Sequence, residues 1–199
     1  MSSVLPNSKA TYSFDDLLEL EQLTGVKYEL IGGHIIAMTG GTKAHNLIAL
    51  GLFSEIDRQK RDRCRLYVAD VKLLVEHDRS EHHKDTSVYP DVMLACGEEV
   101  SDLYEESPLL LAEVLSDNTA RKDKGIKREK YLQLSSLHAY LILSQTEMMM
   151  TLYQRNEEEW TQDIFLGGKE TEIVCCLGKE HNPLKLDLGH IYKFVENRL

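Results

Sequence analysis

The chain has 199 residues, 42% of them hydrophobic and 28% charged, an ordinary globular balance with enough length for one substantial core. A formal net charge of -10 argues against a protein that grips nucleic acid over its whole surface. No apolar run approaches the roughly 18 residues that span a bilayer, and the polar start of the chain lacks the apolar core of a secretion signal.

The charge is uneven. Arg58 to Arg65 and Arg121 to Lys130 are basic stretches, readable as phosphate contacts or as solvated helix ends. Cys64, Cys96, Cys175 and Cys176 show no CxxC spacing, which predicts reduced, buried thiols in a cytoplasmic protein.

Residues 1–12 are expected to be a flexible N-terminus, followed by a single domain over 13–199. Ser13-Phe14-Asp15-Asp16 resembles a capping box and predicts a helix through Leu20, with Gly25 ending the region. Lys27 to Ile31 and His34 to Met38 flank Gly32-Gly33 and predict a hairpin. Thr42 should cap a helix to about Lys60, since His45, Ile48, Leu52 and Ile56 recur at helical spacing. Leu66 to Val75 reads as extended, with a bend near Asp70, and a polar loop containing His82-His83 runs on to Val88. Pro90-Asp91-Val92-Met93-Leu94 and Leu109 to Leu115 read as short buried strands separated by an acidic loop. A helix from Thr119 or Asp123 to Leu134 comes next, then a strand from His138 to Leu143. Met149 to Gln154 and Trp160 to Leu166 look like an antiparallel pair, Glu172 to Cys176 like a further strand, and Leu188 to Asn197 like a closing helix. Helices interleaved with strands predict an α/β (α+β) architecture, a mixed central sheet flanked by helices.

The two buried strands carry the chemistry. Glu113 is the lone carboxylate of a seven-residue apolar run, where an unpartnered polar group would cost several kcal/mol, about the price of burying it dry. Asp91 follows a proline and should open its strand. If the strands are neighbours, both carboxylates converge on one divalent cation, and hard oxygen donors suit magnesium or manganese. Such an ion activates water and offsets charge on a phosphoryl oxygen.

The order of helix, three strands, helix and strand around Pro90-Asp91 and Glu113-Val114-Leu115 resembles the PD-(D/E)xK nuclease core. Several stretches together resemble the Uma-two-type restriction endonuclease family from about Phe14 to Phe194. They are Tyr28-Glu29-Leu30-Ile31, Gly40-Gly41 with His45-Asn46, Tyr89-Pro90-Asp91-Val92, Glu113-Val114-Leu115-Ser116, and Asp123-Lys124-Gly125-Ile126-Lys127 through Tyr131. The resemblance implies a restriction-endonuclease-like core with an N-terminal hairpin and additional C-terminal strands. Leu115 stands where the superfamily's lysine would follow the glutamate, and the family resemblance implies that a lysine on the next helix replaces it. Lys127 matches that position and shares a helical stripe with Tyr131 and Leu134.

The expected site is therefore Asp91 and Glu113 as metal ligands with Lys127 as the catalytic lysine. Glu29, matching a family glutamate, is a further metal or water ligand. His45, Asp70, Lys124 and Tyr131 are candidates for contacts to substrate or to the carboxylates. The function implied is a magnesium- or manganese-dependent endonuclease acting on DNA, as a homodimer in the cytoplasm. The alternative is a nuclease-like fold that binds partners without catalysis, motivated by the acidic charge and by Leu115.

Overall fold

The computed structural model of the chain describes residues 11–38, 40–77, 85–115, 123–167, 173–179 and 182–195. In chain order the first elements are α1 (Phe14–Thr24), β1 (Tyr28–Ile31), β2 (His34–Ala37), α2 (Lys43–Asp57), β3 (Arg65–Val68), β4 (Lys72–Glu76) and β5 (Thr86–Val88). The middle of the chain holds β6 (Val92–Ala95), the two-residue β7 (Tyr104–Glu105), β8 (Pro108–Leu115), α3 (Asp123–Gln133) and β9 (Ala139–Ser144). It closes with β10 (Met149–Asn156), β11 (Glu159–Leu166), β12 (Ile173–Cys175), β13 (Leu184–Leu186) and α4 (Leu188–Tyr192). No described helix is long and apolar enough to cross a membrane. Two compact units form, one from 1–40 with 72–89, the other from 41–71 with 90–199.

In the first unit, the Ser13 hydroxyl accepts from the Asp16 N–H while the Asp16 carboxylate accepts from the Ser13 N–H. This reciprocal cap starts α1 as predicted. Gly25 ends it at φ 66°, a turn later than Leu20. The hairpin of β1 and β2 turns on Gly32 and Gly33 at φ 56° and 76°, a conformation that favours glycine at both positions. Strands run in the order β2-β1-β5-β4, all antiparallel. Phe14, Leu17 and Leu20 of α1 are buried, as are Leu30, Leu73 and Val88 from the strands.

The second unit is built on a six-stranded sheet ordered β11-β10-β9-β8-β6-β3. Neighbours are antiparallel except β8 and β9, the parallel pair between which α3 lies in the chain. One face carries the main core: Val92, Leu94, Leu110, Ala112, Val114 and Leu141 pack with Ile48, Leu52 and Ile56 of α2. The hairpin of β12 and β13 and the helix α4 belong to the same cluster. The expected α/β (α+β) architecture, a mixed sheet flanked by helices, is the one observed.

Some local expectations fail. β5 and β7 fall in stretches read as loops, and β13 in a stretch given no element, because two or three residues are too few to show a period. The closing helix predicted to Asn197 ends at Tyr192. It packs so tightly on α2 that a Cβ at Gly51 would lie 2.2 Å from the Ile191 carbonyl oxygen. The expectation of four reduced, buried thiols is also wrong. Cys64 and Cys96 form a disulfide, with an S–S distance of 2.08 Å. Antiparallel pairing of Arg65 with Ala95 sets the two cysteines opposite each other across 32 residues, a partnership that spacing in the chain does not reveal. Cys175 is buried, whereas Cys176 is exposed. The N-terminal stretch 1–10, His82-His83 and the side chain of Lys124 lie outside the described residues.

Candidate active site

The antiparallel register of β6 and β8 pairs Val92 with Ala112, so Asp91, just before β6, comes opposite Glu113. Alternation along β8 sends Ala112 and Val114 into the α2 core and Glu113 to the opposite face. Glu113 is 6% exposed. Its Oε1 accepts a hydrogen bond from the Tyr131 hydroxyl at 2.9 Å, and the Lys127 ammonium lies 3.7 Å from the same oxygen. Lys127 and Tyr131 sit one turn apart on α3, so a single helical face delivers both groups to one carboxylate.

Asp91 is held by two other elements. Its Oδ2 accepts from the Val114 N–H at 2.7 Å and lies 3.0 Å from Nε2 of His45 on α2. The Asp91 hydrogen bond raises the His45 pKa above its ordinary value; burial opposes this, and the charges of Asp91 and Glu113 add to it. Both carboxylates thus act on the same imidazole.

Local structure explains where His45 sits. Thr42 caps α2 by accepting from the His45 N–H, and its hydroxyl meets Oε1 of Gln145 at 2.6 Å. The Gln145 N–H in turn donates to the Leu115 carbonyl at the end of β8. Gly41 lies against the imidazole: a Cβ there would be 2.9 Å from Nδ1. A cavity of about 170 Å³ opens beside these groups, lined by Gly41, Thr42, His45, Asn46, Val68 and Asp91 among others.

The bend expected near Asp70 is a pair of left-handed residues, Ala69 at φ 48° and Asp70 at φ 61°. Neither is glycine, so each stores strain of about 1–3 kcal/mol. The Ala69 N–H donates to the Asp91 carbonyl at 3.0 Å, so the strained turn borders the aspartate. The Asp70 side chain is exposed. Glu29 lies in the first unit, 9% exposed, where Oε1 accepts the Tyr89 N–H at 3.1 Å.

Sequence reasoning missed the aromatic support. Tyr140 packs edge-on to Tyr131 at 5.3 Å and stacks on Tyr153 at 5.8 Å, and the Arg128 guanidinium lies over Tyr153. Burial and then the charge of Glu113 drive the Tyr140 phenol pKa far up, which keeps it neutral. A buried-strand reading of 138–143 gives no sign of this, because Tyr140 looks like any other core residue there.

The donor set suits a hard divalent cation. Asp91 and Glu113 offer carboxylate oxygens from adjacent strands, leaving other positions to water or substrate oxygens, as magnesium prefers. Among the described residues no group of three His, Cys, Asp or Glu side chains is gathered around one point.

Two uncharacterized proteins of Synechocystis sp. are each 28% identical to this chain. The match to slr1290 covers 73% of this chain and 76% of the relative, and that to sll1609 covers 76% and 86%. The crystal structure of a putative nuclease belonging to DUF820 from Anabaena variabilis shares the fold, with a TM-score of 0.68 at 16% identity over 92% of this chain and 98% of the other. The Uma2 family, described as putative restriction endonuclease, matches residues 14–178, and the chain belongs to that family.

Proposed function

We propose that the protein is a divalent-metal-dependent nuclease that hydrolyses phosphodiester bonds in DNA. The observation that carries this reading is the convergence of Lys127 on Glu113 from a helix, beside a second carboxylate, Asp91, on the neighbouring strand. Leu115 leaves the usual strand position without a lysine, and the 3.7 Å approach of Lys127 supplies the cation from elsewhere.

Asp91 and Glu113 would hold magnesium or manganese, which when bound lowers the pKa of water and offsets charge on a phosphoryl oxygen. The residues of the chain do the rest. Lys127 orients the attacking water and balances negative charge as it grows on the phosphate oxygens. Tyr131 holds Glu113 in one rotamer by its hydrogen bond. His45 and the Val114 N–H do the same for Asp91. The cavity lined by Gly41, Thr42 and Asn46 gives the sugar-phosphate backbone room beside Asp91.

Cleavage of supercoiled and linear DNA with magnesium or manganese tests the reading, with Asp91→Ala, Glu113→Gln and Lys127→Ala beside the wild type. Loss of activity in all three is expected. Undiminished cleavage by Glu113→Gln would remove the site from consideration.

A further inference from the structure

The β10–β11 hairpin extends the sheet beyond β9, and Tyr153 of β10 stacks on Tyr140. The turn end of the hairpin reaches α3. Arg155 of β10 and Trp160 of β11 are directly paired across the hairpin. The Arg155 guanidinium lies 4.7 Å from the centre of the Trp160 ring, which holds the planar fork in one orientation. That fork donates to three carbonyls in the last turn of α3 and just beyond it: Leu132 at 3.0 Å, Leu134 at 2.9 Å and Ser135 at 3.0 Å. The Trp160 indole N–H adds a second bond to the Leu132 carbonyl at 3.1 Å.

Carbonyls of a last helical turn have no partner within the helix, and the dipole there favours a cation. Four hydrogen bonds from one cross-strand pair reach the Leu132 carbonyl of that last turn and the Leu134 and Ser135 carbonyls just beyond it, so they set the position of the helix end as well as capping it. Leu132 directly follows Tyr131 and comes five residues after Lys127. The groups that meet Glu113 are therefore carried on a rigid rod clamped at its far end by the hairpin.

We infer that Arg155 and Trp160 are positioning residues, which act through α3 to hold Lys127 and Tyr131 against Glu113. This rests on the proposed role of Lys127, but the clamp itself is measurable without activity.

The experiment uses the full chain with Arg155→Ala, Arg155→Lys and Trp160→Phe. Acetylation of Lys127 by an N-hydroxysuccinimide ester is followed by peptide mass spectrometry, with the similarly shielded Lys60 and Lys72 as internal controls. Lys127 is 15% exposed when docked. Its acetylation in Arg155→Ala should rise on the order of tenfold, equivalent to about 1.4 kcal/mol in the docking of α3. Lysine keeps the charge without the fork, so Arg155→Lys should fall between. Trp160→Phe keeps a ring under the guanidinium and loses one bond, so its effect should be smaller than that of Arg155→Ala. The controls should not change. Unchanged labelling of Lys127 in Arg155→Ala overturns the inference, whatever the protein's activity. So does an equal rise at all three lysines, which would mean loosening of the whole fold.

A second arm reads the chemistry. With manganese and DNA, Arg155→Ala should lower kcat about tenfold or more with KM unchanged, because a displaced catalytic group loses alignment rather than binding. In the Lys127→Ala background it should cost much less, leaving only the part carried by Tyr131. Multiplicative losses in the double variant would overturn the link to Lys127. If the wild type cleaves no DNA, the nuclease reading fails, and the labelling arm still decides the clamp.

Discussion

Tyr131→Phe isolates one bond at the heart of the site. Tyr131 is fully buried, and its hydroxyl donates to a carboxylate that is itself 6% exposed. A hydrogen bond to a charged group contributes roughly 1.5–3 kcal/mol, and one between neutral groups about 0.5–1.5 kcal/mol. The ring fills the same space in phenylalanine, so no cavity penalty enters. Tyr131→Phe should therefore lower the unfolding free energy by about 1.5–3 kcal/mol at neutral pH. In a Glu113→Gln background the acceptor is neutral, and the same substitution should cost only about 0.5–1.5 kcal/mol. Urea denaturation of the wild type, both single variants and the double variant measures the two costs. Equal costs in the two backgrounds would refute the argument that the Tyr131 hydroxyl serves the charge on Glu113.

His45 should titrate above 6.5 by NMR in the metal-free protein, and Asp91→Asn should bring it down, since the Asp91 bond is the largest cause of the shift. A raised folded-state pKa means that the pair's stabilisation is complete below about 6.5 and is lost as pH rises through the folded value. Wild type and Asp91→Asn should then differ more in unfolding free energy at pH 6 than at pH 9. Gly51→Ala should destabilise the second unit by about 1–3 kcal/mol in thermal unfolding, because its methyl group would meet the Ile191 backbone, which cannot rotate away. The Cys64–Cys96 bridge closes a long segment, and Cys96→Ser should cost about 2–4 kcal/mol under oxidising conditions and nothing beyond the reduced wild type in reductant. Lys127→Ala should lower metal-dependent cleavage roughly 100-fold or more while manganese still binds, as read by calorimetry.

Local chemistry determined much of this protein from sequence alone. Ser13 and Asp16 announced the start of α1, Gly32-Gly33 the first hairpin, and Thr42 the cap of α2, because caps and tight turns are satisfied by residues close in the chain. Glu113 stood out for the same kind of reason, as one charge within an apolar run. Lys127 was legible only with the family resemblance, since several lysines crowd the same helix. Tertiary structure decided the rest. The register of β6 against β8 brings Asp91 opposite Glu113, and the register of β3 against β6 brings Cys64 to Cys96. The contacts of His45 with Asp91, of Tyr131 with Glu113, and of Arg155 with the end of α3 span 46, 18 and about 20 residues. Sequence spacing carries no record of such partners, because they are set by strand pairing and helix docking after the chain has closed on itself.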